Sequence, residues 1–142
     1  LAERGHRDAI AAGEWLTGTQ FDPEYALVSA ALRTRETWAS VAEGAGWDLD
    51  ADFDRGLYAA DYDAALDLVR EIDDEVRRLL VIGHNPTMAS LAQLLDDGES
   101  ELAEQLFGGY PTSAIAVFEY DGSWADLDEG SARLVAFHIA RG

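Results

Sequence analysis

Two short stretches carry residue types and spacings that can hold an anion. The first is Gly83-His84-Asn85-Pro86, which directly follows the apolar run Leu79 to Ile82. Asn85 suits an N-cap, and Pro86 suits the first helical position, where its missing N–H costs nothing. This pattern puts His84 at the carboxyl end of a strand and beside a helix N-terminus. Free N–H groups and the positive dipole end favour anions there, and open α/β sheets take ligands at the same end of their strands. The same residues also read as a good helix start with a satisfied loop histidine.

The second stretch is Ser29-Ala30-Ala31-Leu32-Arg33-Thr34-Arg35-Glu36-Thr37, after the apolar Ala26-Leu27-Val28. Ser29 can cap a helix, which places Arg33 and Arg35 in its first two turns. Cations are unfavourable at that end of a helix dipole, and a bound anion would account for them. Arg33 could clamp such an anion with its planar fork. Arg35 is expected instead to pair with a surface carboxylate such as Glu36 or Asp22, and an ordinary surface pairing is open for Arg33 too.

The elements around these stretches alternate in type. Leu1 to Thr17 reads as a helix with Ile10, Gly13 and Leu16 on one side. A second helix runs from about Ala31 to Ala42 and ends at Gly44 and Gly46. Asp61 to Ile72 is amphipathic, with Ala65, Leu68, Val69 and Ile72 at i, i+3, i+4 and i+7. Leu79 to Ile82 suits a central strand covered on both faces. Met88, Leu91, Ala92 and Leu95 repeat the helical spacing. Ser113 to Tyr120 and Ala132 to Ile139 read as strands, with Asp121-Gly122 as the turn between them. The expected fold is a single domain over residues 1–142, a three-layer α/β/α arrangement with a mixed central sheet.

Composition narrows the partners. The formal charge is −18, from 28 acidic and 10 basic residues, and every basic residue is arginine. That field disfavours nucleic acid and anionic lipid. A phosphorylated ligand would need a local arginine cluster to reverse the sign. No run approaches the roughly 20 apolar residues of a membrane span. With no cysteine, disulfides and thiolate metal sites are excluded, and three histidines make any metal site improbable. These features fit a cytoplasmic protein without a metal or other cofactor.

Taken in order, Ser-x-x-Leu-Arg-x-Arg-x-Thr at 29–37 and Gly-His-Asn-Pro at 83–86 resemble the histidine phosphatase superfamily. The chain is most similar to its short SixA-type phosphohistidine phosphatases. Leu1-x-x-x-Gly5-x-x-x-Ala9, Leu57-Tyr58 and the tail from Trp124 to Phe137 extend the likeness over nearly the whole chain. The resemblance implies a phosphate pocket of two arginines and two histidines. Arg33 and His84 match one of each as catalytic residues, and Asn85 stands beside them as a substrate-binding residue. The family's other pair lies in an Arg-His motif on a first strand, which would precede the opening helix and is absent from residues 1–142. His6 is read as a solvent-facing helix residue and His138 as structural, so neither replaces the nucleophile.

The implied reaction is attack by that histidine on phosphorus, followed by hydrolysis of the phosphohistidine intermediate. Arg33 would hold the equatorial oxygens and His84 would donate to the same group. Many relatives place a general-acid glutamate just before the Leu57-Tyr58 segment. Here Arg55 aligns with it, and Asp52 and Asp54 can be turn carboxylates. A P–N bond needs less help, since imidazole has a pKa of about 6.5 and leaves readily once protonated. The implied partners are a phosphorylated protein, such as a histidine phosphotransfer domain, or a small phosphoramidate. The alternatives are a phosphate- or phosphoprotein-binding module without the nucleophile, and a small-molecule phosphomonoesterase of the same superfamily.

Overall fold

The computed structural model describes all 142 residues, Leu1–Gly142. Helix α1 (Glu3–Gly18) leads to β1 (Tyr25–Ser29), α2 (Leu32–Ala45), β2 (Asp52–Asp54), α3 (Arg55–Tyr58) and α4 (Tyr62–Arg70). Strand β3 (Leu79–Ile82), α5 (Thr87–Leu95), α6 (Ala103–Phe107), β4 (Ala114–Glu119) and β5 (Arg133–Ile139) complete it, with a 3-10 turn at Trp124–Asp126.

Period-two alternation sorts the strand side chains into two layers. Ala26 and Val28 of β1, with Leu80 and Ile82 of β3, face Trp38 of α2. Leu27, Leu79 and Val81 face the opposite way, onto Leu57, Ala65, Leu66, Val69, Leu91 and Leu95 of α3, α4 and α5. The three-layer α/β fold is therefore as expected from the sequence.

The sheet has a break in it. Strands pair in the order β2-β1-β3, all parallel, with Leu27 opposite Asp52 on one side and Val81 on the other. Strands β4 and β5 form a separate antiparallel pair. Yet Leu80 of β3 and Ile115 and Val117 of β4 pack against the same cluster beneath α1. On the other face, Val81 and Phe118 share a second cluster. Strands β3 and β4 thus occupy the same layer without exchanging ladder hydrogen bonds, which leaves a seam between them. Strand β3 is only partly buried along its length, less covered than a central strand.

Two glycines let α1 and α2 touch backbone to backbone. A Cβ on Gly13 would lie 2.0 Å from the Val41 carbonyl oxygen, and one on Gly44 would lie 2.1 Å from that of Ile10. Any side chain there would force the helices apart. The contact fixes α2, whose first turn carries Arg33.

Several boundaries differ from the sequence reading. The connection between β4 and β5 is not a tight Asp121-Gly122 hairpin turn. It spans residues 120–132, where the Tyr120 hydroxyl donates to the Ser123 carbonyl and the Trp124 indole donates to that of Val76. The tie to Val76, 48 residues away in sequence, is invisible to a search for turn residues. Strand β2 was not expected, because its three residues Asp-Phe-Asp carry little strand signal. Helix α4 is shorter than its periodic pattern. Asp61 caps it by accepting from the Ala64 amide, and it ends at Arg70.

Candidate active site

The carboxyl ends of β1 and β3 lie side by side, with Val28 opposite Ile82. The chain leaves both strands toward helices, so Ser29 at one end and His84 just past the other come together. His84 Nε2 is 2.6 Å from Ser29 Oγ, and His84 Nδ1 is 3.0 Å from a terminal guanidinium nitrogen of Arg33. Ser29 is fully buried, His84 is partly buried, and Arg33 is exposed to solvent. Arg33 and His84, taken from separate stretches of sequence, are thus brought together as expected.

Tyr58 of α3 completes the wall. Its ring meets the imidazole of His84 edge-on at 5.5 Å, and the Arg33 guanidinium lies over the same ring at 5.8 Å. Half of Tyr58 is open to water. Burial, followed by the adjacent Arg33 cation, pushes the His84 pKa below its usual value. The free site therefore offers one permanent cation, one neutral imidazole and an open approach from solvent.

The backbone of this corner is fixed by side chains. Thr34 Oγ1 donates to the carbonyls of Ser29 and Ala31, tying the first turn of α2 to the end of β1. Ser29 was expected to cap α2. The residue at the N-cap is Ala31, without a side-chain cap, and Ser29 Oγ receives the Ala31 amide only at 3.4 Å. The hydroxyl is instead aimed at His84, a role that spacing along one chain segment could not reveal.

Asn85 and Pro86 are also placed differently. Helix α5 starts at Thr87 with Pro86 in the N-cap position, one residue later than the sequence pattern suggests. The Met88 amide closes the first turn on the His84 carbonyl. Asn85 Oδ1 accepts from the Ala89 amide at 3.2 Å, and its Nδ2 donates to the Tyr110 carbonyl. Both polar ends of Asn85 therefore secure the turn that presents His84, and the loop before β4.

The remaining candidates sort cleanly. Arg35 does not pair with Glu36 or Asp22. Its Nε donates to the Ala30 carbonyl, and its guanidinium stacks 4.4 Å over the ring of Phe53. His6 is not simply solvent-facing either, since its Nδ1 pairs with Ser40 Oγ at 2.9 Å across the α1–α2 contact. His138 stacks on Trp15 at 4.7 Å with nearly parallel rings, the structural role expected of it. Asp54 accepts from the Gly56 and Leu57 amides as the cap of α3, and Asp52 accepts from the Tyr25 hydroxyl. Both are committed to the fold.

No helix is long and apolar enough to cross a membrane. No cluster of three or more histidine or acidic side chains is arranged to hold a metal ion.

No protein-family model matches the chain. Among curated proteins it is 38% identical over 144 residues to an uncharacterised protein of Mycobacterium tuberculosis, covering 99% of this chain and 89% of the relative. A Mycobacterium leprae protein, also uncharacterised, is 36% identical over 143 residues, covering 99% and 86%. Among solved structures, one assigned as a phosphohistidine phosphatase SixA from Nakamurella multipartitia superposes with a TM-score of 0.85. It is 28% identical, over 99% of this chain and 84% of that one. A second, from Agrobacterium tumefaciens, gives 0.79 at 27% identity, over 97% and 81%. A protein histidine phosphatase SixA complexed with tungstate shares the fold at a TM-score of 0.73 and 22% identity, over 99% and 88%.

A three-layer α/β domain with this overall superposition is a histidine-phosphatase fold. Within that class, the chain has the SixA-type histidine-phosphatase fold.

Proposed function

We propose that this protein is a phosphatase acting on phosphohistidine or a related phosphoramidate, with Arg33 and His84 as the catalytic residues it contributes to the phosphate pocket. The observation that carries this reading is the meeting of Arg33 and His84 at the ends of two adjacent parallel strands, open to solvent. Arg33 holds the phosphoryl oxygens through charge-assisted bonds and stabilises their charge as it redistributes. His84 faces the same group from the other side. Asn85 acts on the substrate indirectly, by holding the turn that presents His84.

The covalent step needs a nucleophilic histidine. His6 and His138 are held by Ser40 and Trp15, away from His84. The seam between β3 and β4 supports a nucleophile carried on an additional strand, which would pair with both open edges and end beside His84. That histidine attacks phosphorus as the P–N bond breaks, the leaving nitrogen takes a proton, and water then cleaves the enzyme phosphohistidine. The partner is a phosphorylated protein or a small phosphoramidate.

The test compares inorganic phosphate binding by the wild type and Arg33→Ala, with melting temperature as control. Loss of one charge-assisted clamp is expected to weaken binding about ten- to a hundred-fold. Stability should barely move, since the side chain is exposed. Equal affinities would remove the phosphate site from the reading. Binding that depends on Arg33 without turnover of any phosphoramidate would favour a phosphate-binding module.

A further inference from the structure

Ser29 has no part in the phosphate-binding roles given above to Arg33 and His84, yet its hydroxyl makes the shortest contact to the imidazole. A guanidinium has only donors, so in the 3.0 Å contact Arg33 donates and His84 Nδ1 accepts. The ring proton of neutral His84 must then sit on Nε2. That N–H points at Ser29 Oγ, 2.6 Å away and sealed from water. The hydroxyl lies at the end of a strand paired on both sides, and its own carbonyl is tied to Thr34. It cannot drift with the imidazole.

We propose that Ser29 is a positioning residue that fixes the orientation of His84, anchoring the Nε2–H that the Arg33 contact imposes so that Nδ1 is the nitrogen presented to the bound anion. This deepens the phosphatase reading and rests on it for the identity of the anion. In the free protein, Nδ1 is occupied by Arg33. An anion that draws the guanidinium away leaves Nδ1 facing negative charge, and the ring takes up a proton there while Nε2 keeps its bond to Ser29. The imidazolium is then flanked by the anion, Arg33 of α2, the Tyr58 ring of α3 and the Ser29 hydroxyl of β1. No carboxylate pairs with His84. Anion binding is therefore coupled to uptake of one proton.

The test uses side-chain nitrogen NMR of His84, with sulfate as the probe because its charge is constant across neutral and mildly acid pH. The free wild type is expected to show the Nε2–H tautomer, with both nitrogens protonated once sulfate is bound. Sulfate affinity should rise as pH falls from 8 to 6, approaching about tenfold per unit where one full proton is taken up. Ser29→Ala should keep the Nε2–H tautomer but shift its Nε2 resonance, because the proton loses its acceptor, and weaken sulfate about five- to ten-fold, the worth of one buried hydrogen bond. Ser29→Thr, which keeps the hydroxyl, should restore the wild-type Nε2 resonance. A wild-type Nδ1–H tautomer, or a Ser29→Ala protein with the wild-type Nε2 resonance and affinity, would overturn the proposal. The free-protein spectrum needs no ligand and no folded variant. If sulfate does not bind the wild type, the anion site fails, while the Nε2 resonance of Ser29→Ala still decides the role of Ser29.

Discussion

Arg33 and His84 lie 51 positions apart in sequence and 3.0 Å apart in space, with nothing but the arginine's own charge to oppose protonation of the imidazole once burial has done its part. On the proposed reading, this is an anion site in its unliganded balance. The guanidinium is satisfied by a neutral ring, and a second positive charge is admitted only when a negative one arrives. The proposed arrangement would let a chain of net charge −18 hold a phosphoryl group, with the local sign set by one arginine and one convertible histidine.

That balance has a consequence for stability. The His84 pKa is lowered in the folded protein, so on acidification the unfolded chain takes up this proton first, near pH 6.5. The contribution is complete above that pH and is lost as pH falls toward the folded value. The melting temperature of the wild type should therefore drop more steeply than that of His84→Asn between pH 7.5 and 5. Carboxylates common to both proteins cancel in the difference. A gap that stays constant with pH would show His84 to titrate normally.

Much of this corner was legible from sequence, for a local reason. Arg33 and His84 each follow an apolar strand run and open a helix, so short-range pattern located both. What the pattern could not give was the partner of each group. Ser29 has the right type and place for a cap, but the cap is empty and its hydroxyl goes to a residue on another strand. Asn85 likewise serves Ala89 and Tyr110, and Arg35 lies on Phe53. Side chains with several available bonds are assigned by tertiary neighbours. The seam beside β3 is similar: the run Leu79 to Ile82 reads as a fully covered strand because its composition suits one, while one of its edges lacks a partner.

Tyr58 touches both reactive groups through its ring and not through its hydroxyl. Phenylalanine should therefore replace it with phosphate affinity unchanged within about twofold. Alanine removes the cation–π support worth about 0.5–1 kcal/mol at an exposed position, and should weaken phosphate about two- to five-fold. Titration calorimetry on the two variants separates these outcomes. Equal losses for both would assign the effect to the hydroxyl.

The α1–α2 contact gives a prediction about stability alone. Gly44→Ala would drive a methyl group into the Ile10 carbonyl, which is backbone and cannot rotate aside. The helices must separate, at a cost of about 1–3 kcal/mol or somewhat more. Gly46→Ala, at the left-handed cap of the same helix, tests a different cause, because that position is strained by its φ of 74° but open in space. Chemical denaturation should show a loss for both. Only Gly44→Ala should also loosen the His6–Ser40 contact, visible as a change in the His6 ring signals.

For the phosphatase proposed above, the choice of leaving group follows from what Asp52 and Asp54 are already doing. A phosphomonoester releases an alkoxide that needs a general acid, whereas a protonated imidazole leaves unaided. Asp54 spends its carboxylate on two backbone amides, and Asp52 holds the Tyr25 hydroxyl, whose pKa is raised to about 12 chiefly by that bond. Arg55, which directly follows Asp54, cannot donate a proton at neutral pH. On protein carrying a nucleophilic strand, turnover of a phosphohistidine peptide should exceed that of a simple alkyl phosphate. Asp54→Asn should cost about 1 kcal/mol of stability as a weakened cap, with that preference intact. If the substitution instead abolished monoester turnover while sparing the phosphohistidine peptide, Asp54 would be the acid, and the enzyme would be built for esters after all.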